Sequence, residues 1–201
     1  MVPYDANLEV FPVASGFLTG RGANSTSQFG CDGLIAAALE RFGAANRWCF
    51  EVGANDGLFF SNTHRLRCDG WDAVLIESGA EYFERLRGLA TDKVRTIPKR
   101  IGPKCLDQIL GQCGAPENID LGVIDIDGQD YWAWEGMRRF TPRLMLVEFE
   151  YGSENHPSFI PDCGGAGQAS YQAIRDLGQT KGYTALAKTT VNLLFVKTEL
   201  L

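Results

Sequence analysis

Two apolar runs near the end of the chain, 183–187 and 191–196, are separated only by Lys188, Thr189 and Thr190. A link that short cannot cross a sheet face, so two strands here must pair as an antiparallel hairpin. The preceding chain follows a different rule. Short apolar runs at 48–52, 73–76, 94–97, 121–126 and 144–149 alternate with stretches of helical apolar spacing at 81–90, 106–113, 130–137 and 170–181. Strands that alternate with helices build a parallel, doubly wound sheet with a helix layer on each face. A preliminary helix over 32–42 carries Leu34, Ile35, Ala38, Leu39 and Phe42 and stops at Gly43, and the last helix stops at Gly182. The expected fold is α/β and Rossmann-like, with seven mostly parallel strands ending in an antiparallel C-terminal hairpin.

A chain of 201 residues with 45% apolar content fills one core. Residues 1–26 hold Pro3, Pro12, Gly16, Gly20 and Gly22 without a period of either kind, and read as an irregular N-terminal arm ahead of a single domain over 27–201. The net charge of −6 and the pI near 5.0 lack the basic footprint of a nucleic-acid binder or of a clamp for anionic membranes. That leaves a small-molecule or glycan partner. No apolar run reaches the roughly 18 residues that span a bilayer, and no basic-then-apolar leader opens the chain, so a cytoplasmic protein is expected. Cys31, Cys49, Cys68, Cys105, Cys113 and Cys163 are scattered without a Cys-x-x-Cys pair, which favours reduced thiols over zinc or disulfides.

The tract Phe50-Glu51-Val52-Gly53-Ala54-Asn55-Asp56-Gly57 runs from a strand into a turn with an acid and then two glycines four apart. In an open α/β sheet that turn borders the ligand crevice, where glycines let the backbone approach a ligand closely. The spacing is not the Gly-x-Gly-x-x-Gly of pyrophosphate-binding turns, and Glu51 and Asp56 would repel a pyrophosphate. Glu51 suits the ammonium of a methionine moiety instead. Glu77, followed by Ser78, lies 20 residues past Gly57 at the end of the next strand, where a carboxylate accepts both hydroxyl protons of a ribose. Because nicotinamide cofactors also present a ribose, Glu77 points to a nucleoside without naming it.

The fourth strand ends Asp125-Ile126-Asp127-Gly128-Gln129-Asp130, and alternation would put Asp125 and Asp127 on one side, facing the crevice. Glu148 and Glu150 end the next strand. An alcohol becomes a useful nucleophile when a base takes its proton or a cation binds its oxygen, so Asp125 and Asp127 are candidate bases and Asp125 with Glu148 a candidate Mg²⁺ pair. His156, in the loop Glu-Asn-His-Pro, is a further candidate base. Asp130 has a simpler role available as a helix cap, and His64 a structural one. Tyr131, Trp132 and Trp134 either stack on an acceptor or join the core. Arg138, Arg139 and Arg143 read as a solvated face.

Taken in order and spacing, 27–33 (Ser-Gln-Phe-Gly-Cys-Asp-Gly), 50–57, 61–63, 70–77, 124–132 and 191–196 resemble the FkbM-type family of class I S-adenosylmethionine-dependent methyltransferases, from Ser27 onward. The resemblance implies methylation of a hydroxyl on a sugar or small natural product. It implies cofactor contacts from Glu51, Gly53 and Glu77, and a supporting or lining role for Gln28, Asp32, Asn62 and Asp125. With Ala54, Asn55, Gly57 and Ser78 of the two turns, these make up the expected cofactor site. Cys31 departs from the family, where an acid is expected. Two other classes stay open on sequence: a nicotinamide-dependent oxidoreductase, disfavoured by the glycine spacing and the hairpin, and a non-catalytic nucleoside-binding module.

Overall fold

The computed structural model describes residues 5, 7–153 and 156–201. The remainder of the arm's start and the Glu-Asn of the Glu-Asn-His-Pro loop lie outside the described residues. One mixed sheet of eight strands runs through the molecule in the order β1-β7-β8-β6-β5-β2-β3-β4. The strands are β1 (Glu9–Val10), β2 (Trp48–Val52), β3 (Asp72–Glu77), β4 (Val94–Pro98), β5 (Leu121–Ile124), β6 (Leu144–Glu148), β7 (Tyr183–Lys188) and β8 (Asn192–Lys197). The helices are α1 (Ser15–Leu18), α2 (Cys31–Phe42), α3 (His64–Cys68), α4 (Ala80–Leu86), α5 (Cys105–Gln112), α6 (Asp130–Gly136) and α7 (Tyr171–Thr180).

Strands β4, β3, β2, β5 and β6 are parallel neighbours. The hairpin is antiparallel, as its short link requires, and β8 inserts between β7 and β6, antiparallel to both. That insertion sets Asn192 directly across from Glu148. From β2 the chain builds outward through β3 and β4, then returns to add β5 on the other side of β2. The order thus reverses between β2 and β5, and a crevice opens beyond the carboxyl ends of such a pair.

Seven of the eight strands match the apolar runs. The eighth belongs to the arm, which is not irregular throughout: β1 pairs with β7, and a 3-10 turn at Pro12–Ala14 and α1 follow. Two residues are too few to show a period, whereas Ala14 and Leu18 bury completely beside α2 in the core on one sheet face. The other face is packed by Phe50, Ile124, Trp134, Phe140 and Phe195 among others. Trp134 is therefore core, in contact with Tyr183 and Phe195. Arg143 is not part of a solvated face either: it donates to the Phe42 carbonyl and pairs with buried Asp120, closing α2 onto β5 and β6. All six cysteines are free thiols. Among the described residues no helix is long and apolar enough to cross a membrane.

Candidate functional site

The turn after β2 begins with the amides of Gly53 and Ala54 donating to the Ile76 carbonyl of β3. Gly53 has φ +80°, and a Cβ there would lie 1.6 Å from the Asp125 carbonyl oxygen. The glycine is thus demanded by close approach of the β2 and β5 ends rather than by a ligand alone. Gly57, at φ +77°, is required by packing as well, since a Cβ would meet Leu86 and Leu89 at 2.8 and 2.6 Å.

Glu77 closes β3 with its carboxylate fixed by two backbone donors, Asn55 N–H at 2.9 Å to Oε2 and Gly79 N–H at 2.6 Å to Oε1. Each oxygen keeps a second lone pair, and the carboxylate lines a cavity of about 440 Å³ with Gly53, Ser78, Ile101, Asp125 and Gln129. Asn55 reaches its donor geometry at φ +51°, a left-handed conformation that asparagine tolerates better than most residues.

Strand β5 ends at Ile124, two residues earlier than its apolar run suggested, and the following turn is shaped by Asp130. Asp130 does not cap α6. Its fully buried carboxylate instead accepts from the amides of Ile126 and Gly128, folding the turn back on itself. Asp127 takes φ +53° in that turn. Strand alternation therefore has no part in bringing Asp125 and Asp127 together; the turn does, and both line the 440 Å³ cavity and a second cavity of about 310 Å³.

The second cavity also holds Glu148, Asn55, Asn62, Gln28 and Asn192. Glu148 is 9% exposed, accepts from Gln168 at 2.5 Å and shares a hydrogen bond with Asp125. Burial, then the charge of Asp130, pushes the Asp125 carboxyl up to about 7. Burial, then the charge of Asp125, pushes Glu148 up to about 10. Two facing carboxyls with raised affinities hold at least one proton between them at neutral pH. The expected Asp125–Glu148 Mg²⁺ pair has no ligand set around it: among the described residues no group of three or more acidic, histidine or cysteine side chains is arranged to hold a metal.

Several expected site residues stand behind the cavities rather than in them. Glu51 is 2% exposed, and its carboxylate accepts from Ser61 Oγ, Asn62 N–H and Thr63 Oγ1 at 2.6–2.7 Å. Its bonds tie the 61–63 segment to β2 and so place Asn62, while lining neither cavity. Asp32 works in the same way: Oδ2 accepts from the amides of Ser25, Thr26 and Ser27 and from Ser27 Oγ, holding the segment that carries Gln28. Ala54 is buried beneath the turn. His156 sits exposed in its loop, with its amide on the Ser153 carbonyl, and lines neither cavity. His64 opens α3, with Nε2 3.5 Å from Cys68 Sγ, and burial lowers its pKa.

Several contributors carried too little sequence signal to be placed at the site. Gln129 binds the glycine-rich segment 162–165 over the first cavity, donating to the Asp162 and Gly165 carbonyls and accepting from Gly164 N–H. Trp132 adds a bond to the Pro161 carbonyl. Asn192 enters through the insertion of β8, which no local pattern reveals. Phe59 and Phe60 directly follow the glycine turn as exposed aromatics, and that exposure is a property of the fold, not of the sequence.

No protein-family model matches the chain, and no curated protein sequence does. Among solved structures, precorrin-6y C5,15-methyltransferase from Geobacter metallireducens superposes with a TM-score of 0.54 at 11% identity, covering 87% of this chain and 92% of that one. Magnesium protoporphyrin IX methyltransferase from Synechocystis PCC 6803, solved with bound S-adenosylmethionine, gives 0.53 at 10% identity over 92% of both chains. The chain has the Rossmann-like methyltransferase fold.

Proposed function

We propose that the chain is an S-adenosylmethionine-dependent methyltransferase of the FkbM type that methylates a hydroxyl of a sugar, a glycan or a small natural product. The observation that carries this reading is Glu77: a carboxylate pinned by two backbone amides, with lone pairs left for a ribose, on the wall of the crevice where the strand order reverses. A structure of the same fold holds that cofactor. Glu77 and Ser78 would hold the nucleoside, and Asn55 and Asn62 would lie toward its methionine end. Bound there, the cofactor supplies an electrophilic methyl group on sulfur.

The chain's own part in the reaction is proton handling at Asp125. An acceptor hydroxyl set beside Asp125 would lose its proton to a carboxylate oxygen of that residue as it was methylated. A carboxyl raised to about 7 by burial is well matched to that step near neutral pH. Protonated Glu148 donates to Asp125 and keeps it oriented. Six free thiols fit a reducing compartment, and we place the protein in the cytoplasm. Incubation with methyl-labelled S-adenosylmethionine and a panel of hydroxylated acceptors should transfer label in the wild type and not in Asp125→Asn. Cofactor binding without label transfer to any acceptor would favour a non-catalytic nucleoside-binding module.

A further inference from the structure

The turn that follows the glycine tract leaves its apolar residues outside. Leu58, Phe59 and Phe60 are 53%, 56% and 45% exposed, and the two rings lie 3.7 Å apart. The fold imposes this placement. Asp56 accepts from the amides of Leu58 and Phe59, and both Phe60 and Phe29 are held at positive φ, +59° and +54°. Bulky residues reach that region only where the surrounding structure over-determines it, and such positions gather at ligand-binding sites.

These residues wall one side of a third space of about 670 Å³, and the arm segment 24–29 walls the other. The arm is tied in place there. Thr26 Oγ1 donates to the Ser61 carbonyl, Asn24 Oδ1 accepts from Gly30 N–H, and Asp32 Oδ2 takes the Ser25, Thr26 and Ser27 amides together with Ser27 Oγ. Those polar groups are spent within the protein, so the space offers a guest chiefly the apolar surface of Phe29, Leu58, Phe59 and Phe60. No lysine, arginine or histidine lines it to balance an anion, and its one acid, Asp56, already holds two amides.

What occupies the space follows from what it adjoins. Gln28, Phe59 and Phe60 are also walls of the 310 Å³ cavity that holds Asp125. On the methyltransferase reading above, the nucleoside fills the 440 Å³ cavity, which the segment held by Gln129 covers, and the methionine end lies on the Asn55 and Asn62 side. An acceptor then reaches Asp125 past Phe59 and Phe60, and whatever it carries behind its hydroxyl lies in the third space. Resting on that reading, we propose that Phe29, Leu58, Phe59 and Phe60 determine acceptor specificity, and that the acceptor is a neutral hydroxyl compound with an apolar ring system or chain rather than a bare glycan. A bare glycan would leave the aromatic wall in water and set its many hydroxyls against a surface with few open partners.

The test is calorimetric titration of the full chain saturated with S-adenosylhomocysteine, with 2-naphthol as the apolar hydroxyl probe and maltotriose as the polar one. Naphthol should bind at least about tenfold more tightly. Leu58→Asn and Phe29→Asn, the second suited to φ +54°, remove apolar surface that lines the third space and neither of the other two. Each should weaken naphthol by about threefold or more while S-adenosylhomocysteine binds as before. Maltotriose binding as tightly as naphthol overturns the proposal, and so does naphthol binding that both substitutions leave unchanged. Naphthol expelled by S-adenosylhomocysteine also overturns it, since the space then belongs to the cofactor, as does a concentration-dependent dimer that both substitutions abolish, since the wall is then an interface between copies. If S-adenosylhomocysteine itself does not bind, the methyltransferase reading fails, and naphthol titrations of the unliganded wild type and Leu58→Asn still decide whether the apolar subsite exists.

Discussion

Replacing Asp125 by asparagine should change how stability depends on pH. In the folded chain burial raises this carboxyl from 3.8 to about 7. Between those two values the folded state keeps a proton that the unfolded state has released, so stability falls as pH rises through the window. One retained proton corresponds to about 1.4 kcal/mol per pH unit, and a window of close to three units gives a loss on the order of 4 kcal/mol. Asparagine has nothing to ionise and can donate its amide to Glu148, so the variant lacks this contribution. Urea unfolding at about pH 4 and about pH 8 should therefore show a smaller loss for Asp125→Asn than for the wild type, with the variant the more stable at the higher pH. Parallel curves for the two proteins would refute the assignment of a shared proton to this pair. The same window should govern catalysis, with the rate rising as pH passes about 7 and the base becomes free.

Gly53→Ala should be severely destabilising, by more than about 3 kcal/mol in chemical unfolding, because a Cβ at φ +80° cannot coexist with the Asp125 carbonyl 1.6 Å away. A near-neutral result would mean that the β2 and β5 turns are not packed as described. Glu51→Ala strips three buried hydrogen bonds and should cost about 3 kcal/mol or more, with faster amide exchange across 61–63 as the local readout. Gln129→Ala removes the bonds to Asp162, Gly164 and Gly165, so proteolysis should move to the 162–167 segment while global unfolding changes little. His156→Ala should shift stability by less than about 0.5 kcal/mol.

The architecture was legible because it rests on periodicity and on one short link. Alternating runs specify a parallel sheet, and three residues between 187 and 191 leave no choice but a hairpin. The acids at strand ends were legible for a related reason, since a carboxylate at the carboxyl end of a central strand has the crevice in front of it. Local pattern did not carry side-chain destinations. Glu51 and Asp32 are acids in a glycine-rich neighbourhood, and each spends lone pairs on a nearby segment of chain, Glu51 on Ser61 Oγ, Asn62 N–H and Thr63 Oγ1, Asp32 on the amides of Ser25, Thr26 and Ser27 and on Ser27 Oγ. Asp130 looked like a cap and is a turn-former, because its carboxylate reaches back to Ile126 and Gly128. Non-local contributors such as Asn192 and the β1 strand are set by sheet order, which no window of sequence contains.

Binding of an adenosyl cofactor in the crevice walled by Glu77 is the proposal on which the assigned chemistry rests. Thermal unfolding with S-adenosylhomocysteine, S-adenosylmethionine or NADH, on wild type and Glu77→Ala, tests it most directly. At roughly 100 times its dissociation constant a ligand adds about 2.7 kcal/mol of stability, which raises the midpoint measurably. A rise with both adenosyl ligands, none with NADH, and loss of the effect in Glu77→Ala are expected. A rise with NADH alone, or none with either adenosyl ligand, would contradict it.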